Sequence, residues 1–214
     1  MSRHETGPLT RKKREIMAPL PDNDDLPKPP DQALAGLKEV ETARKRGPAP
    51  VHLWNPAYCG EIDMRIASDG TWYYLGSPIG RAPLVQLFAS ILRKDPERYV
   101  LVTPVERDGI KVDDAPFLAV EMRMEDGRIG FRTNVEDFVW VDADHPLRFE
   151  TGAAEGVKPY VRVRGDLWAL VKRALFYDLV AIGRTAPHAG EDWFGVDSAG
   201  LFFPMRRASE VEGL

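Results

Sequence analysis

Acidic, basic and aromatic side chains are concentrated in one short stretch of the chain, 60-GEIDMRIASDGTWYYLGSPIGR-81. Alternation along a β-strand places Asp63 and Arg65 on one face. A two-residue Asp-Gly turn would bring Tyr74 opposite Arg65, with Trp72 beside the pair. Arginine can bind a carboxylate or phosphate through two hydrogen bonds, and an aromatic side chain can cover a flat ring. These four residues predict a ligand-binding face, and the alternative is a solvated ion pair with an aromatic cover.

The glycines at the end of this stretch test a second chemistry, a phosphate-binding loop. A Walker loop has the pattern G-x-x-x-x-G-K-[ST], whose backbone N–H groups surround a phosphate. Here Gly76 and Gly80 are four positions apart, Pro78 lacks an N–H group, and no Lys-Ser or Lys-Thr pair follows. The glycines therefore predict a bend into a helix, and Arg81 could still contact an anion at the helix start.

A second group of polar residues surrounds the next Asp-Gly pair, Asp108-Gly109. A two-residue turn there would place Thr103 opposite Asp114 on an apolar face, where an aspartate needs partners. Asp114 is therefore either a general base or metal ligand together with Asp63 or Glu106, or a residue that holds the backbone before a proline. No histidine lies nearby in the sequence, so we predict no metal site.

Cys59 is the only cysteine among the 214 residues. A single cysteine excludes an intrachain disulfide, which favours a reducing, cytoplasmic location. Without an activating partner, a cysteine near aromatic residues is more typical of a small buried hydrophobe than of a nucleophile. We therefore predict no catalytic residue and no cofactor.

The composition is typical of a globular protein, with 43% hydrophobic residues, 29% charged residues and a formal net charge of -4. This mild acidity argues against general nucleic-acid binding, and no apolar run reaches the roughly 18 residues of a membrane span. Residues 1–30 are polar and rich in proline, which predicts a disordered tail. Residues 31–50 predict a short helix followed by a linker.

Three Asp-Gly pairs predict three β-hairpins, since Asp-Gly suits the two-residue turn in which both central residues need a positive φ. In the third hairpin, counting outward from the turn places Glu121 opposite Arg132 and Met124 opposite Ile129. One face of that hairpin is then apolar and the other carries an opposite-charge pair, as expected for a half-buried sheet.

One long helix is predicted in each half of the chain. Apolar residues recur at helical spacing over 82–95 and 166–182, and the segment 81–92 weakly resembles the segment 164–175. Strands dominate the middle, so the pattern predicts an α+β fold of antiparallel hairpins in two small domains. After the tail and linker, the expected units are an N-terminal α+β domain, a C-terminal domain with a helix and a short tail, at residues 51–108, 109–206 and 207–214.

Four short motifs together resemble one protein family. They are CGEIDMRI, DGTWYYLGSPI, LVTPVE and DDAPF, which follow one another between Trp54 and Val120. The chain resembles the bacterial family of uncharacterised proteins catalogued as domain of unknown function 1285. The resemblance implies two domains related by duplication, the second a β-roll somewhat like a pleckstrin-homology fold. It also implies a site between the domains for a nucleotide-like molecule and a link to signal transduction, but no reaction.

The residues and the resemblance together favour a non-catalytic protein that binds or senses a small anionic ligand, such as a nucleotide, between two domains. Two alternatives stay open: a hydrolase with acidic acid/base groups at Asp63, Glu106 and Asp114, and a protein-interaction module. We expect no nucleic-acid or membrane partner, and the sequence leaves the oligomeric state open. The predicted ligand-binding residues are Asp63, Arg65, Trp72, Tyr74, Arg81, Thr103, Glu106 and Asp114.

Overall fold

The computed structural model describes residues 49–153 and 156–211. The predicted tail at residues 1–30 and the predicted short helix that follows it lie outside these ranges. The first part of the fold consists of β1 (Tyr58–Ile66), β2 (Trp72–Tyr74), β3 (Ser77–Pro78), α1 (Ala82–Ser90), β4 (Leu92–Lys94), β5 (Tyr99–Val102) and β6 (Arg107–Val112).

The second part of the fold contains more strands. It begins with β7 (Phe117–Glu125), β8 (Arg128–Thr133), β9 (Phe138–Trp140), β10 (Leu147–Ala153), β11 (Gly156–Arg164) and β12 (Leu167–Val171). It ends with α2 (Arg173–Ala181), β13 (Arg184–His188), β14 (Glu191–Ser198), β15 (Leu201–Arg207) and α3 (Ala208–Val211). Thus β15 and α3 occupy residues 207–211, where the sequence predicted a tail.

Both large sheets follow one strand order. The first runs β3-β2-β1-β6-β5-β4 and the second runs β10-β11-β12-β7-β8-β9. In each sheet the two central strands are parallel, β1 with β6 and β12 with β7, and the flanking pairs are antiparallel. When the strands of each sheet are numbered 1 to 6 along the chain, and the second sheet is read from β9 to β10, both sheets have the order 3-2-1-6-5-4. The chain therefore forms two β-rich units of similar size, and the expected boundary between residues 108 and 109 falls inside β6.

The third predicted hairpin is confirmed in register and in turn type. Glu121 pairs with Arg132 and Met124 pairs with Ile129. Asp126 and Gly127 both have positive φ, 49° and 70°, as the predicted two-residue turn requires. The Arg132 guanidinium donates to the Glu121 carboxylate at 2.8 Å, so the opposite-charge pair forms as well.

The first predicted hairpin forms, but its predicted register is wrong by one residue. Arg65 pairs with Tyr73, not with Tyr74. The loop has three residues, because the Ala67 N–H donates to the Thr71 carbonyl at 2.9 Å. Only Gly70 in this loop has a positive φ, 80°, which is the geometry of a three-residue hairpin loop that ends in a left-handed glycine. A shift of one residue reverses the face of every side chain on β2.

The second predicted hairpin turn is wrong. Asp108 and Gly109 lie inside β6, and the chain reverses between Val102 and Arg107, which are paired. Thr103 closes that turn with its side chain, since its hydroxyl oxygen accepts hydrogen bonds from two backbone N–H groups. Thr103 therefore does not face Asp114.

Both helices are shorter than the periodicity predicted, and a strand takes up the remainder of each segment. Leu92 pairs with Leu101, so residues 92–94 form the edge strand β4 and do not extend α1. Similarly, Leu170 pairs with Tyr160 in β12. The predicted match between segments 81–92 and 164–175 is therefore wrong in structural terms. Helix α1 occupies most of the first segment, whereas the second contains the end of β11, all of β12 and the first turn of α2.

Arg164 joins the two units. Its guanidinium donates to the carbonyl of Ala89 at 2.7 Å, forms an ion pair with Asp137, and lies 4.9 Å from the ring centre of Phe117. Ala89 belongs to α1 of the first unit, whereas the other three residues belong to the second. One side chain therefore links the end of α1 to the second sheet.

We expect the substitution Arg164→Ala to lower the free energy of unfolding by about 1–3 kcal/mol, because it removes charge-assisted hydrogen bonds at a half-buried site. Arg162→Ala is the matched control, since Arg162 donates to the Gly165 carbonyl of its own hairpin. Urea unfolding of both variants checks this, and equal losses would contradict a special role for Arg164.

Candidate functional site

The predicted ligand-binding face on the first hairpin does not form as predicted. Arg65 forms an ion pair with Asp113 at 2.6 Å and lies 4.8 Å from the ring centre of Tyr73. Trp72 is only 1% exposed and Tyr74 packs against the core. Because of the one-residue shift, the two predicted aromatic ligand contacts point to the side opposite Arg65. The alternative, an exposed ion pair covered by an aromatic ring, describes Arg65, with Tyr73 as the cover.

The remaining predicted site residues are spread over the first unit. Asp63 is exposed on β1, and Arg81 is exposed at the residue that precedes α1. Thr103 is buried in the β5–β6 turn, where its hydroxyl is engaged by backbone N–H groups. The predicted residues therefore do not gather around a common cavity.

The pKa values of Glu106 and Asp108 are both raised. Burial raises the pKa of Glu106, and the neighbouring Asp108 carboxylate raises it further. Burial also raises the pKa of Asp108. In both residues, desolvation disfavours the charged form of the carboxyl group. Ionisation of Glu106 therefore destabilises the folded chain relative to the unfolded chain.

The pH dependence of stability follows from this direction. The folded chain holds the Glu106 proton to higher pH than the unfolded chain, so stability present below about pH 4.5 is lost as the pH rises through the folded pKa. Glu106→Gln should therefore be more stable than the wild type at pH 7, and the difference should vanish below about pH 4. Urea unfolding between about pH 3 and pH 8 measures this. Asp108→Asn should reduce the pH-dependent difference, because it removes the carboxylate that raises the pKa of Glu106 further. The prediction would be contradicted if the free energy of unfolding changed with pH in the same way in the wild type and in Glu106→Gln.

Asp114 has partners from the second unit. One carboxylate oxygen accepts from the Lys158 ammonium at 2.9 Å, and the other accepts from the Tyr160 hydroxyl at 2.7 Å. Burial and the hydrogen bond to Asp114 raise the pKa of Tyr160, because the phenol proton is held in that bond. Asp114 thus bridges the end of β6 to β11, which the sequence did not predict.

Within residues 49–153 and 156–211, no three His, Cys, Asp or Glu side chains come together as a metal site. In the same part of the chain, no helix is long and apolar enough to cross a membrane. Cys59 is exposed, so the interpretation of Cys59 as a buried hydrophobe is wrong.

A cleft of about 630 Å³ lies beside α2. Its walls come from β7, β11, β12, α2, β14 and β15, and the Ser68–Asp69 segment of the β1–β2 loop forms part of its rim. This volume is in the range of small-molecule sites. The β1–β2 loop reaches the second unit because Gly70 packs against Leu118 and Asn134, where even a methyl group would meet side-chain atoms at 2.9 Å.

The lining of the cleft combines apolar and cationic side chains. The apolar contacts on α2, β14 and β15 are Phe176, Tyr177, Val180, Phe194 and Met205. Four cationic residues, Lys158, Lys172, Arg173 and Arg206, line the same space, against one carboxylate, Asp69. The start of α2 also lies here and has no side-chain cap. The cleft therefore suits an anionic molecule with an apolar part.

None of these lining residues was predicted as a site residue from the sequence. The periodicity placed Lys172 and Arg173 inside one long helix, whereas they mark the point at which β12 ends and α2 begins. One signal was present in the sequence. The run 175-LFYDLV-180 carries apolar residues all around the helix, including Tyr177, which is 56% exposed.

The comparisons with known proteins now identify the family. Residues 49–115 match the model described as "Domain of unknown function (DUF1285), N-terminal domain". Residues 116–205 match the model described as "Protein of unknown function (DUF1285), C-terminal domain". The chain belongs to the DUF1285 family. In this DUF1285 protein the N-terminal domain contains the first sheet, and the C-terminal domain contains the other two.

Two solved structures of DUF1285 family proteins are similar to this chain. The protein from Silicibacter pomeroyi DSS-3, solved at 2.50 Å resolution, is 45% identical with a TM-score of 0.73, over 83% of this chain and 97% of that chain. The protein from Shewanella baltica OS155, solved at 1.40 Å resolution, is 27% identical with a TM-score of 0.47, over 56% of this chain and 91% of that chain. The comparison with curated proteins found no match.

Proposed function

We propose that this DUF1285 protein is a non-catalytic binding protein that holds a small anionic ligand in the cleft of its C-terminal domain, at the rim formed by the β1–β2 loop of its N-terminal domain. The observation that carries the proposal is the lining of that cleft, where four cationic side chains and one carboxylate surround a largely apolar space. A site of this kind attracts anions through charge-assisted hydrogen bonds, and its apolar surface accommodates an apolar part of the ligand.

The position of the cleft suits a sensing role. The β1–β2 loop of the N-terminal domain lies at its rim, and Lys158 in its wall is paired with Asp114 of the N-terminal domain. A ligand that contacts Lys158 would therefore act on a bridge between the two domains. This is the basis on which we retain a link to signal transduction, since a ligand shifts a conformational equilibrium only through contacts that differ between its states.

The hydrolase alternative has less support. Both carboxylate oxygens of Asp114 are occupied by Lys158 and Tyr160, so Asp114 is poorly placed to remove a proton from a substrate. Asp63 and Glu106 lie on β1 and in the β5–β6 turn, and neither lines the cleft. Among residues 49–153 and 156–211, we find no comparable cluster of residues that favours a protein-interaction role.

Two finer features of the fold are part of the proposal. We attribute the shared strand order of the two large sheets to duplication, in which the hairpin around Asp69-Gly70 corresponds to the hairpin around Asp126-Gly127. The likeness of the C-terminal domain to a pleckstrin-homology β-roll remains a proposal from the family resemblance.

Titration with a panel of anions tests the binding function. We expect a member of a panel of nucleotides and alkyl carboxylates to bind, and Lys172→Glu to weaken its Kd about tenfold by reversing a charge in the cleft. A glutamate is tolerated at a helix start, so Lys172→Glu should still fold. Isothermal titration calorimetry measures the Kd.

The control for this titration is Lys111→Glu. Lys111 is also exposed but lies on β6, outside the cleft. The substitution Lys111→Glu changes the net charge by the same amount as Lys172→Glu and should leave the Kd within about twofold of the wild-type value. The proposal fails if no anion of the panel binds, or if the two lysine variants weaken binding equally.

A further inference from the structure

We infer that the ligand of the cleft is an acid with an alkyl tail, bound with its carboxylate at the cationic rim and its tail on the cleft floor. The inference rests on the proposed anion-binding function and specifies the chemical class of the ligand. It follows from how polarity changes with depth in the cleft.

The floor of the cleft is apolar. The buried members of its lining are Leu118, Pro159, Val171 and Met205, and each of them is apolar. Three strands, β7, β12 and β15, provide Leu118, Val171 and Met205, which are 6%, 2% and 4% exposed. Half-buried Phe176 and Phe194 continue the same surface. An alkyl chain laid on this surface removes apolar area from water on both sides of the contact.

None of the charged side chains that line the cleft is among its buried residues. Lys172 and Arg173 are exposed, and Lys158 and Arg206 are half-buried. Lys158 is paired with Asp114 and Arg206 with Glu210, both outside the cleft lining, so their positive charges are partly balanced. Lys172 and Arg173 stand at the start of α2, where no side chain caps the helix, so a carboxylate bound there would meet two cations and the helix N-terminus.

This gradient disfavours a nucleotide. A base placed on the floor would bury ring nitrogens and an exocyclic group against side chains that offer neither a donor nor an acceptor. Each unsatisfied polar group buried in this way costs about 1–3 kcal/mol. An alkyl tail has no such groups, so the floor favours it over a base.

A chain-length series tests the inference. Octanoate, nonanoate and decanoate, kept below their micelle concentrations, should bind with an affinity that rises roughly fourfold per methylene. Decanoate should bind roughly tenfold more tightly than decanol, since only the acid uses the cationic rim. AMP serves as the nucleotide probe. Isothermal titration calorimetry on the full chain measures each Kd.

Two variants on one helical segment locate the tail. Val180 lines the cleft and Ile182 does not, yet they are 38% and 39% exposed. Val180→Asp should weaken decanoate binding at least tenfold, whereas Ile182→Asp should leave it within twofold. This difference would show that the alkyl tail binds in the cleft and not on any exposed apolar residue.

The outcomes separate this inference from the proposed function. An affinity independent of chain length, or equal losses from the two aspartate variants, would overturn the alkyl tail. If AMP binds, is weakened by Lys172→Glu and outcompetes decanoate, the anion site stands and the inference fails. If neither AMP nor any carboxylate binds, both are refuted.

Discussion

Replacing Trp72 with alanine should lower the free energy of unfolding by about 3–5 kcal/mol, the usual range for a large aromatic side chain removed from a core. Trp72 is 1% exposed, and its ring stacks on Phe88 of α1 at a centroid distance of 6.3 Å. It therefore fills the space between the first sheet and α1, and the remaining cavity cannot close fully. Guanidinium unfolding followed by circular dichroism measures the loss.

The conservative variant Trp72→Phe separates packing from hydrogen bonding. The indole Nε1 of Trp72 is buried and has no hydrogen-bond partner among the residues that the structure describes. Phenylalanine keeps most of the ring and removes this unsatisfied donor, so we expect less than half of the alanine effect. If Trp72→Ala lost less than about 1 kcal/mol, Trp72 would instead be accessible, as the ligand-binding interpretation requires.

Replacing Ser198 with alanine should lower the free energy of unfolding by about 2–4 kcal/mol, because two buried backbone groups lose a partner. The Ser198 side chain is fully buried. Its hydroxyl donates to the carbonyl of Val141 at 2.6 Å and accepts from the N–H of Ile129 at 2.9 Å. This single hydroxyl joins the β14–β15 hairpin to the second sheet. The next residue, Ala199, adds a backbone contact, because its N–H donates to the Gly127 carbonyl at 3.1 Å.

Amide hydrogen exchange identifies which part of the structure is destabilised when Ser198 is replaced. In Ser198→Ala, the amide of Ile129 should exchange faster than in the wild type, beyond the change explained by global stability. Ser209→Ala is the control, because Ser209 is exposed on α3 and should change stability by less than about 0.5 kcal/mol. Equal stability of the two serine variants would show that the Ser198 hydroxyl does not hold the third sheet to the second.

The hairpins show why one register could be predicted and another could not. Around Asp126-Gly127, turn chemistry and alternation are local and agree, so counting from the turn gave the observed pairs. Around Asp69-Gly70 the same dipeptide forms a three-residue loop. Here the Asp69 carboxylate accepts from the Thr71 N–H at 2.9 Å, and Gly70 packs on the C-terminal domain. The second of these contacts lies far away in the sequence, so the turn residues alone could not reveal it.

The candidate site was harder to predict than the fold. Sequence reasoning favoured Arg65 with Trp72 and Tyr74 because a two-residue turn would align them, and the three-residue loop moved both aromatic residues to the core side. The cleft is built from six elements of the C-terminal domain and one loop of the N-terminal domain, so no local pattern marks it. Lys172 and Arg173 acquire their place in it only because β12 ends where α2 begins.

By itself, the sequence determined the β-rich, two-domain organisation, the hairpin at Asp126-Gly127 and the family, since these depend on local turn geometry, alternation and short motifs. Only the tertiary structure decided which segments became strands, which face of β2 is buried, and where charge meets apolar surface. The physical reason is that strand pairing and burial depend on partners distant in the chain. Residues 92–94 and 167–171 have helical periodicity, yet hydrogen bonding to β5 and β11 makes them strands.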